Sequence, residues 1–255
     1  MEERDIKRIV REGYSKIARN NGSCCPSSAG NCCGTPGMEK EISLEMGYSY
    51  EDIEKVPEGS NLGLGCGNPV AIASLKEGET VLDLGSGAGF DCFLAAEKIG
   101  PDGKVIGVDM TYEMLEKARD NAVKGNFSNV EFRLREIENL PCADNEVDVI
   151  ISNCVINLSP DKERVFMEAF RVLKPGGRIM VSDIVLTKEL PDYIKNDSTA
   201  YVGCISGAIL KDDYLDLIKR AGFINIKVMD ETRYPFDSRE DYASSIKVYA
   251  QKAFD

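Results

Sequence analysis

The chain reads as an α/β protein: a doubly wound sheet, mostly parallel, with an antiparallel C-terminal hairpin, an N-terminal helical and cysteine-loop extension, and an insertion after the fifth strand. Three observations carry that reading. From Thr80 onward, short runs rich in Val, Ile and Leu alternate with longer amphipathic stretches, the pattern of βαβ units. The first run, Val81-Leu82-Asp83-Leu84, passes through Gly85-Ser86-Gly87-Ala88-Gly89 into an apolar helix at 90–98, so strand, glycine turn and helix follow directly. An acidic residue, Asp109, closes the second run twenty positions beyond Gly89, where nucleotide-binding βαβ units carry the carboxylate that meets a ribose.

Ile6, Ile9, Val10, Tyr14 and Ile17 fall at helical spacing, which makes 2–20 an amphipathic helix ended by Asn21-Gly22. The stretch 23–37 carries two vicinal pairs, Cys24-Cys25 and Cys32-Cys33, among small and turn-forming residues. Such pairs suit capture of a soft ion, and they equally suit a redox-labile loop or adventitious zinc. Short helices are expected at 41–47 and from Tyr50. Next, Gly63, Gly65 and Gly67 surround Cys66 in a permissive loop that presents its thiol. Residues 1–70 thus form an extension, and 71–255 the main domain.

Strands are expected at 80–84, 104–108, 130–134, 147–152 and 178–184, with helices at 90–98, 111–124 and 162–173. Thr111 is the expected N-cap of the second helix and Gly125 its close. Ligands of such sheets bind outside the carboxyl ends of the strands. That rim collects Gly85–Gly89, Asp109 and Met110, Ile137 and Glu138 after the third strand, and Asn153 with Cys154 after the fourth. Residues 187–210, with Pro191 and Gly203, break the rhythm and are expected to roof the rim, with Cys204 presented among small residues. A helix at 211–221 and strands at 223–229 and 246–251 complete the chain, the strands as an edge hairpin. Cys92 and Cys142 lie in apolar settings and read as packing residues.

Composition narrows the function. The 255 residues are 43% hydrophobic and 29% charged, enough for one domain core with additions. A net charge of -12 argues against nucleic acid as a partner, since that binding depends on neutralising phosphates. No apolar run spans a bilayer, and Met1-Glu2-Glu3-Arg4-Asp5 is too charged for a secretory signal, so a cytoplasmic protein without membrane contact is expected. Histidine is absent, which excludes Cys/His zinc sites and Cys–His nucleophiles, while nine cysteines require an explanation.

The glycine turn is G-x-G-x-G rather than the G-x-G-x-x-G of dinucleotide sites, and Asp83 precedes it. A carboxylate there repels a pyrophosphate and attracts an ammonium or sulfonium. The pattern Asp83-Leu84-Gly85-Ser86-Gly87-Ala88-Gly89 resembles the first motif of the class I S-adenosylmethionine-dependent methyltransferases, whose Rossmann-like fold suits the sheet expected here. On that resemblance the donor site comprises Asp83, Gly85, Ser86, Gly87, Asp109, Met110, Ile137, Glu138 and Asn153. Asp109 would meet the ribose, Ile137 would cover the adenine, and Glu138 or its backbone would meet the exocyclic amine.

Cys66, Cys154 and Cys204 come from a pre-domain loop, a strand end and the insertion, all expected on the open side of the donor site. Three thiolates make a trigonal site for a soft trivalent centre such as arsenic(III), whose own lone pair is a nucleophile that needs no general base. Gly65-Cys66-Gly67, Asp83–Asp91 with Cys92, Val108-Asp109-Met110-Thr111 and Asn153-Cys154-Val155-Ile156-Asn157-Leu158 together resemble the arsenite methyltransferase family, prokaryotic branch, over nearly the whole chain. The resemblance implies methyl transfer from S-adenosylmethionine to thiolate-bound trivalent arsenic, with Cys66, Cys154 and Cys204 as catalytic arsenic ligands. The family's further upstream cysteine falls among Cys24, Cys25, Cys32 and Cys33, and Cys32 and Cys33 are additional candidate ligands. The implied substrate is arsenite or its glutathione conjugate, with glutathione or a thioredoxin-type reductant for turnover. Two other readings share the fold. A quinone-type C- or O-methyltransferase leaves the three cysteines without a role, and a thiol-rich metalloid-binding protein leaves Gly87 and Asp109 without one.

Overall fold

Strands β1 (Thr80–Leu84), β2 (Lys104–Asp109), β3 (Val130–Leu134), β4 (Val147–Asn153), β5 (Leu173–Leu186), β6 (Ile224–Tyr234) and β7 (Ala243–Gln251) form one sheet in the order β3-β2-β1-β4-β5-β7-β6. A computed structural model describes residues 3–20, 38–195, 197–234 and 242–254, so the pairs Cys24/Cys25 and Cys32/Cys33 lie outside the described residues. β1 runs parallel to both neighbours, with Leu82 opposite Ile106 of β2 and Ile150 of β4. The chain therefore reverses its direction of travel across the sheet between β1 and β4, the switch point at which such sheets open a ligand crevice. Val81, Leu82, Val105, Ile106, Val149 and Ile150 are all fully buried, as strands covered on both faces require.

Ten helices flank the sheet among the described residues: α1 (Glu3–Asn20), α2 (Glu39–Glu45), α3 (Tyr50–Lys55), α4 (Pro69–Ile72), α5 (Phe90–Ile99), α6 (Tyr112–Lys124), α7 (Lys162–Val172), α8 (Asp192–Lys195), α9 (Ser198–Val202) and α10 (Lys211–Arg220). On one face α7 and α10 supply Val165, Phe166, Tyr214 and Ile218 to the core. On the other, α5 and α6 supply Phe93, Ile99, Leu115 and Ala118. Helix α1 crosses the rim above both layers. Its Val10 and Ile17 are buried, Gly13 lies against Val202 of α9, and Lys7 Nζ donates to Glu136 at 2.8 Å. None of the described helices is long and apolar enough to cross a membrane.

Several expected features change. Thr111 stands at the N-cap of α6, but its side chain makes no cap bond; instead Asp109 Oδ1 accepts the Thr111 N–H at 2.7 Å, an aspartate turn that leads into the helix at Tyr112. Helix α7 ends at Val172 and the chain enters β5 at once, pairing Leu173 with Val147 before the register shifts at Val149. The insertion holds two short helices, α8 and α9, and Asp197 caps the latter by accepting from Thr199 N at 2.8 Å. β6 extends to Tyr234 and is mostly exposed, because among the described residues it is an edge strand paired only with β7. That pairing is antiparallel, as expected, and it slips twice, between Ile224 and Lys227 and between Val228 and Asp230.

Candidate active site

A cavity of about 410 Å³ opens on the rim at the β1/β4 switch point, under α1 and beside the insertion. Its floor is the glycine turn. Gly85 adopts φ +70° where a Cβ would overlap Val155, so only glycine fits. Gly87, at φ +51°, has open space where a side chain would stand, leaving its backbone accessible from the cavity. Ser86 Oγ lines the cavity, is buried and has no hydrogen-bond partner in the structure. Asp109 spans the turn: Oδ2 accepts from Gly87 N at 3.0 Å while Oδ1 holds Thr111 N. Burial raises its pKa, and these N–H groups hold the rise in check.

At the inner end two carboxyl groups lie close together. Asp83 accepts the Cys92 thiol at 3.2 Å, and burial together with the Asp91 charge drives its pKa well above the usual carboxylate range. Asp91 accepts from the Tyr48 hydroxyl at 2.7 Å and from Asn153 Nδ2 at 3.2 Å; burial lifts it to about 6 against those two bonds. Cys92 is thus more than packing, since its thiol is the partner of Asp83. Met110, Ile137 and Glu138 also line the cavity. The Glu138 carboxylate is engaged on its own side, accepting Ser159 Oγ at 2.6 Å and pairing with Lys7 at 3.1 Å. Asn153 reaches the cavity wall with its amide turned toward the Cys66 loop.

Cys66, Cys154 and Cys204 all line this cavity. Cys154 follows β4 directly, held by its N–H to Ser182 O at 2.7 Å. Cys204 arrives from the insertion and donates its thiol to Cys154 O at 2.9 Å. The neighbouring Cys204 and Cys66 thiols, with burial, push the Cys154 pKa well up, while the Cys66 Sγ lies 3.7 Å from Ser182 Oγ. Cys154 and Cys204 stand at φ +57° and +66°, left-handed backbone that non-glycine residues seldom adopt. Among the described residues no group of three Cys, Asp or Glu already forms a metal-ion cage, and the Cys204 thiol points at a carbonyl. Closing three sulfurs on one atom therefore requires Cys204 to leave that carbonyl.

Two further side chains flank the thiols, both read from sequence only as helix residues. Tyr14 of α1 lines the cavity near Cys204; burial, with the nearby Cys204, Cys154 and Asp109, drives its pKa far up. Lys162 is buried behind Cys204, donating to Ser159 O at 2.9 Å and Asn157 O at 3.3 Å. Burial lowers it to about 8, opposed by Asp183, Cys204 and Glu138. The signal for Tyr14 was a polar tip on an otherwise apolar helix face; for Lys162 no local signal exists.

Residues 75–222 match a family model described as a methyltransferase domain. The chain is 50% identical over 230 residues to an arsenite methyltransferase of Halobacterium salinarum, covering 88% of this chain and 59% of that protein. It is 37% identical over 229 residues to an arsenite methyltransferase of Aquipseudomonas alcaligenes, covering 87% and 63% respectively. The chain thus spans about three fifths of the length of these relatives. Among solved structures it resembles an arsenic(III) S-adenosylmethionine methyltransferase from Chlamydomonas reinhardtii, at TM-score 0.69 and 34% identity, over 86% of this chain and 75% of that one. With the family model matched over more than half of the chain, the chain belongs to the methyltransferase domain family.

Proposed function

We propose that this chain methylates trivalent arsenic, held as thiolates by Cys66, Cys154 and Cys204, with S-adenosylmethionine as donor, giving methylated arsenicals. One observation carries the reading: three cysteines from separate elements, Cys66, Cys154 and Cys204, line the cavity that holds the glycine turn. The donor fits the residues present. Ser86 Oγ awaits a partner, Gly87 leaves backbone open to a ligand, and Asp109 keeps lone pairs beyond its two N–H bonds. Asp83, Gly85, Ser86, Gly87, Asp109, Met110 and Ile137 would hold it. When bound, S-adenosylmethionine supplies an electrophilic methyl group.

The residues of the chain prepare the acceptor. Arsenite exchanges three hydroxyl groups for three thiols, each S–H proton leaving with a hydroxyl as water, so a raised Cys154 pKa does not obstruct binding. The trithiolate keeps the arsenic lone pair, which needs no general base, in keeping with the absence of histidine. Cys154 and Cys204 are buried, so the site excludes water while position and orientation lower the barrier, a contribution of roughly 7–11 kcal/mol where alignment is good. Forming the As–C bond with the lone pair breaks the donor's S–CH₃ bond, releases S-adenosylhomocysteine and leaves the arsenic formally pentavalent. Repeated turnover then draws two electrons from a thiol reductant, glutathione or a thioredoxin-type protein, and arsenite or its glutathione conjugate is the substrate. This chemistry belongs in the cytoplasm, whose reducing poise keeps thiols such as the five described here free.

The test is incubation with methyl-labelled S-adenosylmethionine and glutathione, with and without arsenite, and separation of products. Labelled methylarsenicals are expected only with arsenite. Cys154→Ser is expected to abolish them while changing donor affinity less than about twofold, since only an acceptor ligand is lost. Unimpaired methylation by that variant overturns the acceptor assignment.

A further inference from the structure

The loop that carries Cys66 has little structure of its own. Gly63 and Gly65 adopt φ +63° and +119°, and Cys66 remains partly exposed. Its conformation is set from outside. Asn153 Oδ1 accepts the Cys66 N–H at 3.0 Å, and Asn153 Nδ2 donates to Gly67 O at 2.7 Å, so one side chain grips the backbone on both sides of the cysteine. The amide cannot usefully flip, because its oxygen faces an N–H while its nitrogen faces three oxygens. The same Nδ2 reaches the Tyr48 hydroxyl at 2.9 Å and Asp91 Oδ2 at 3.2 Å, which anchor the side chain from behind. A Cβ on Gly65 would stand 2.8 Å from this amide, and one on Gly67 would overlap Ser182 Oγ. Ser245 Oγ adds an independent bond to Cys66 O at 2.8 Å.

We propose that Asn153 is a positioning residue for Cys66: its amide fixes the backbone from which this ligand reaches arsenic, rather than binding the methyl donor. Both N–H groups are engaged within the protein, and the oxygen already accepts from the loop. Ser245 performs the same service on the opposite side of the cysteine. The arsenic part of this inference rests on the functional reading above; the positioning of the Cys66 thiol does not.

Asn153→Ala and Ser245→Ala separate the possibilities, with thermal melting used to establish that each variant folds. In Asn153→Ala the alkylation rate of Cys66 by iodoacetamide, read by peptide mass spectrometry without arsenic, is expected to change at least about threefold. Affinity for S-adenosylhomocysteine is expected to stay within about twofold of the original, and arsenite affinity to fall about tenfold, equivalent to roughly 1.4 kcal/mol. X-ray absorption of the bound arsenic is expected to count two sulfurs in place of three. Ser245→Ala, which touches no part of the glycine turn, is expected to move arsenite affinity in the same direction by a smaller factor. Undisturbed alkylation together with undiminished three-sulfur binding in Asn153→Ala overturns the inference, as does a loss confined to S-adenosylhomocysteine. Should the unmodified chain bind no arsenite, the functional reading fails instead, and the alkylation rate still decides the role of Asn153.

Discussion

Asp109 does two things at once, and its two oxygens divide the labour. One fixes Gly87 and the other starts α6, so the residue that would meet a ribose also shapes the turn beneath it. Asp109→Asn keeps the size, removes the charge and presents an NH₂ to a backbone N–H. Hydrogen bonds to charged groups contribute about 1.5–3 kcal/mol, so donor affinity is expected to fall roughly tenfold to a hundredfold in calorimetric titration. An unchanged dissociation constant overturns the ribose assignment. The residue type and its spacing were legible in the sequence, as were Cys66, Cys154 and Cys204, because each sits in a distinctive local string. Tyr14, Asn153 and Lys162 were not legible in these roles. Asn153 bonds to the Cys66 backbone and Lys162 to Ser159 and Asn157, while Tyr14 shares the cavity wall with Cys204; Tyr14 and Asn153 in particular reach these places only through the tertiary fold.

Helix α1 acts as the cover of the cavity. Lys7, Val10 and Tyr14 line it from above, while Lys7 to Glu136 and Arg19 to Glu113, at 2.8 and 2.6 Å, tie the helix down. Those ties are partly or largely exposed and contribute little each, so close packing at Gly13 against Val202 matters more. A Cβ there would already stand 3.0 Å from a Val202 methyl. Gly13→Leu is expected to wedge α1 off α9, costing about 1–3 kcal/mol in denaturant unfolding and weakening donor binding, with a lower melting temperature. Full donor affinity in a folded variant would show that α1 is not part of the cover. The helical period of α1 was evident from the sequence, but what its apolar face covers was not. The strands followed the same pattern: β1, β3 and the start of β4 were placed within a residue, where buried runs are bounded by turns. The early start of β5 and the helices of the insertion depend on pairing and capping that no local period encodes.

At the scale of the whole molecule, four buried acids, Asp83, Asp91, Asp109 and Asp183, all raised by burial, shape the response to pH. Asp91 is raised to about 6 and Asp183 to about 7, both chiefly by burial. Asp183 accepts from Asn157 Nδ2 at 2.8 Å and the Tyr214 hydroxyl at 3.1 Å, and Lys162 opposes its rise. Between the ordinary carboxylate value near 3.8 and these raised values, the folded chain holds protons that the unfolded chain has lost, so on their account stability falls as pH rises from about 4 to 7. Glu131, held at about 2 chiefly by Arg133, works in the opposite sense, and its stabilisation is lost as pH falls through the interval from 4.5 to 2. Melting temperature is therefore expected to peak on the acidic side of neutrality. Asp183→Asn is expected to flatten the decline between pH 5 and 7, and an unaltered slope would remove Asp183 as its source.

The outermost ribbon of the sheet carries a last consequence. β6 leaves one row of backbone groups unpaired and shows Ile224, Val228 and Met229 to solvent, the makings of a template on which copies of the chain could stack. Its two register slips bend that edge, and Lys227, Asp230, Glu231 and Arg233 crowd it with charges of both signs. A straight strand from a neighbour finds no continuous ladder to extend, and so the exposed border is guarded against fibrous growth by its own irregularity.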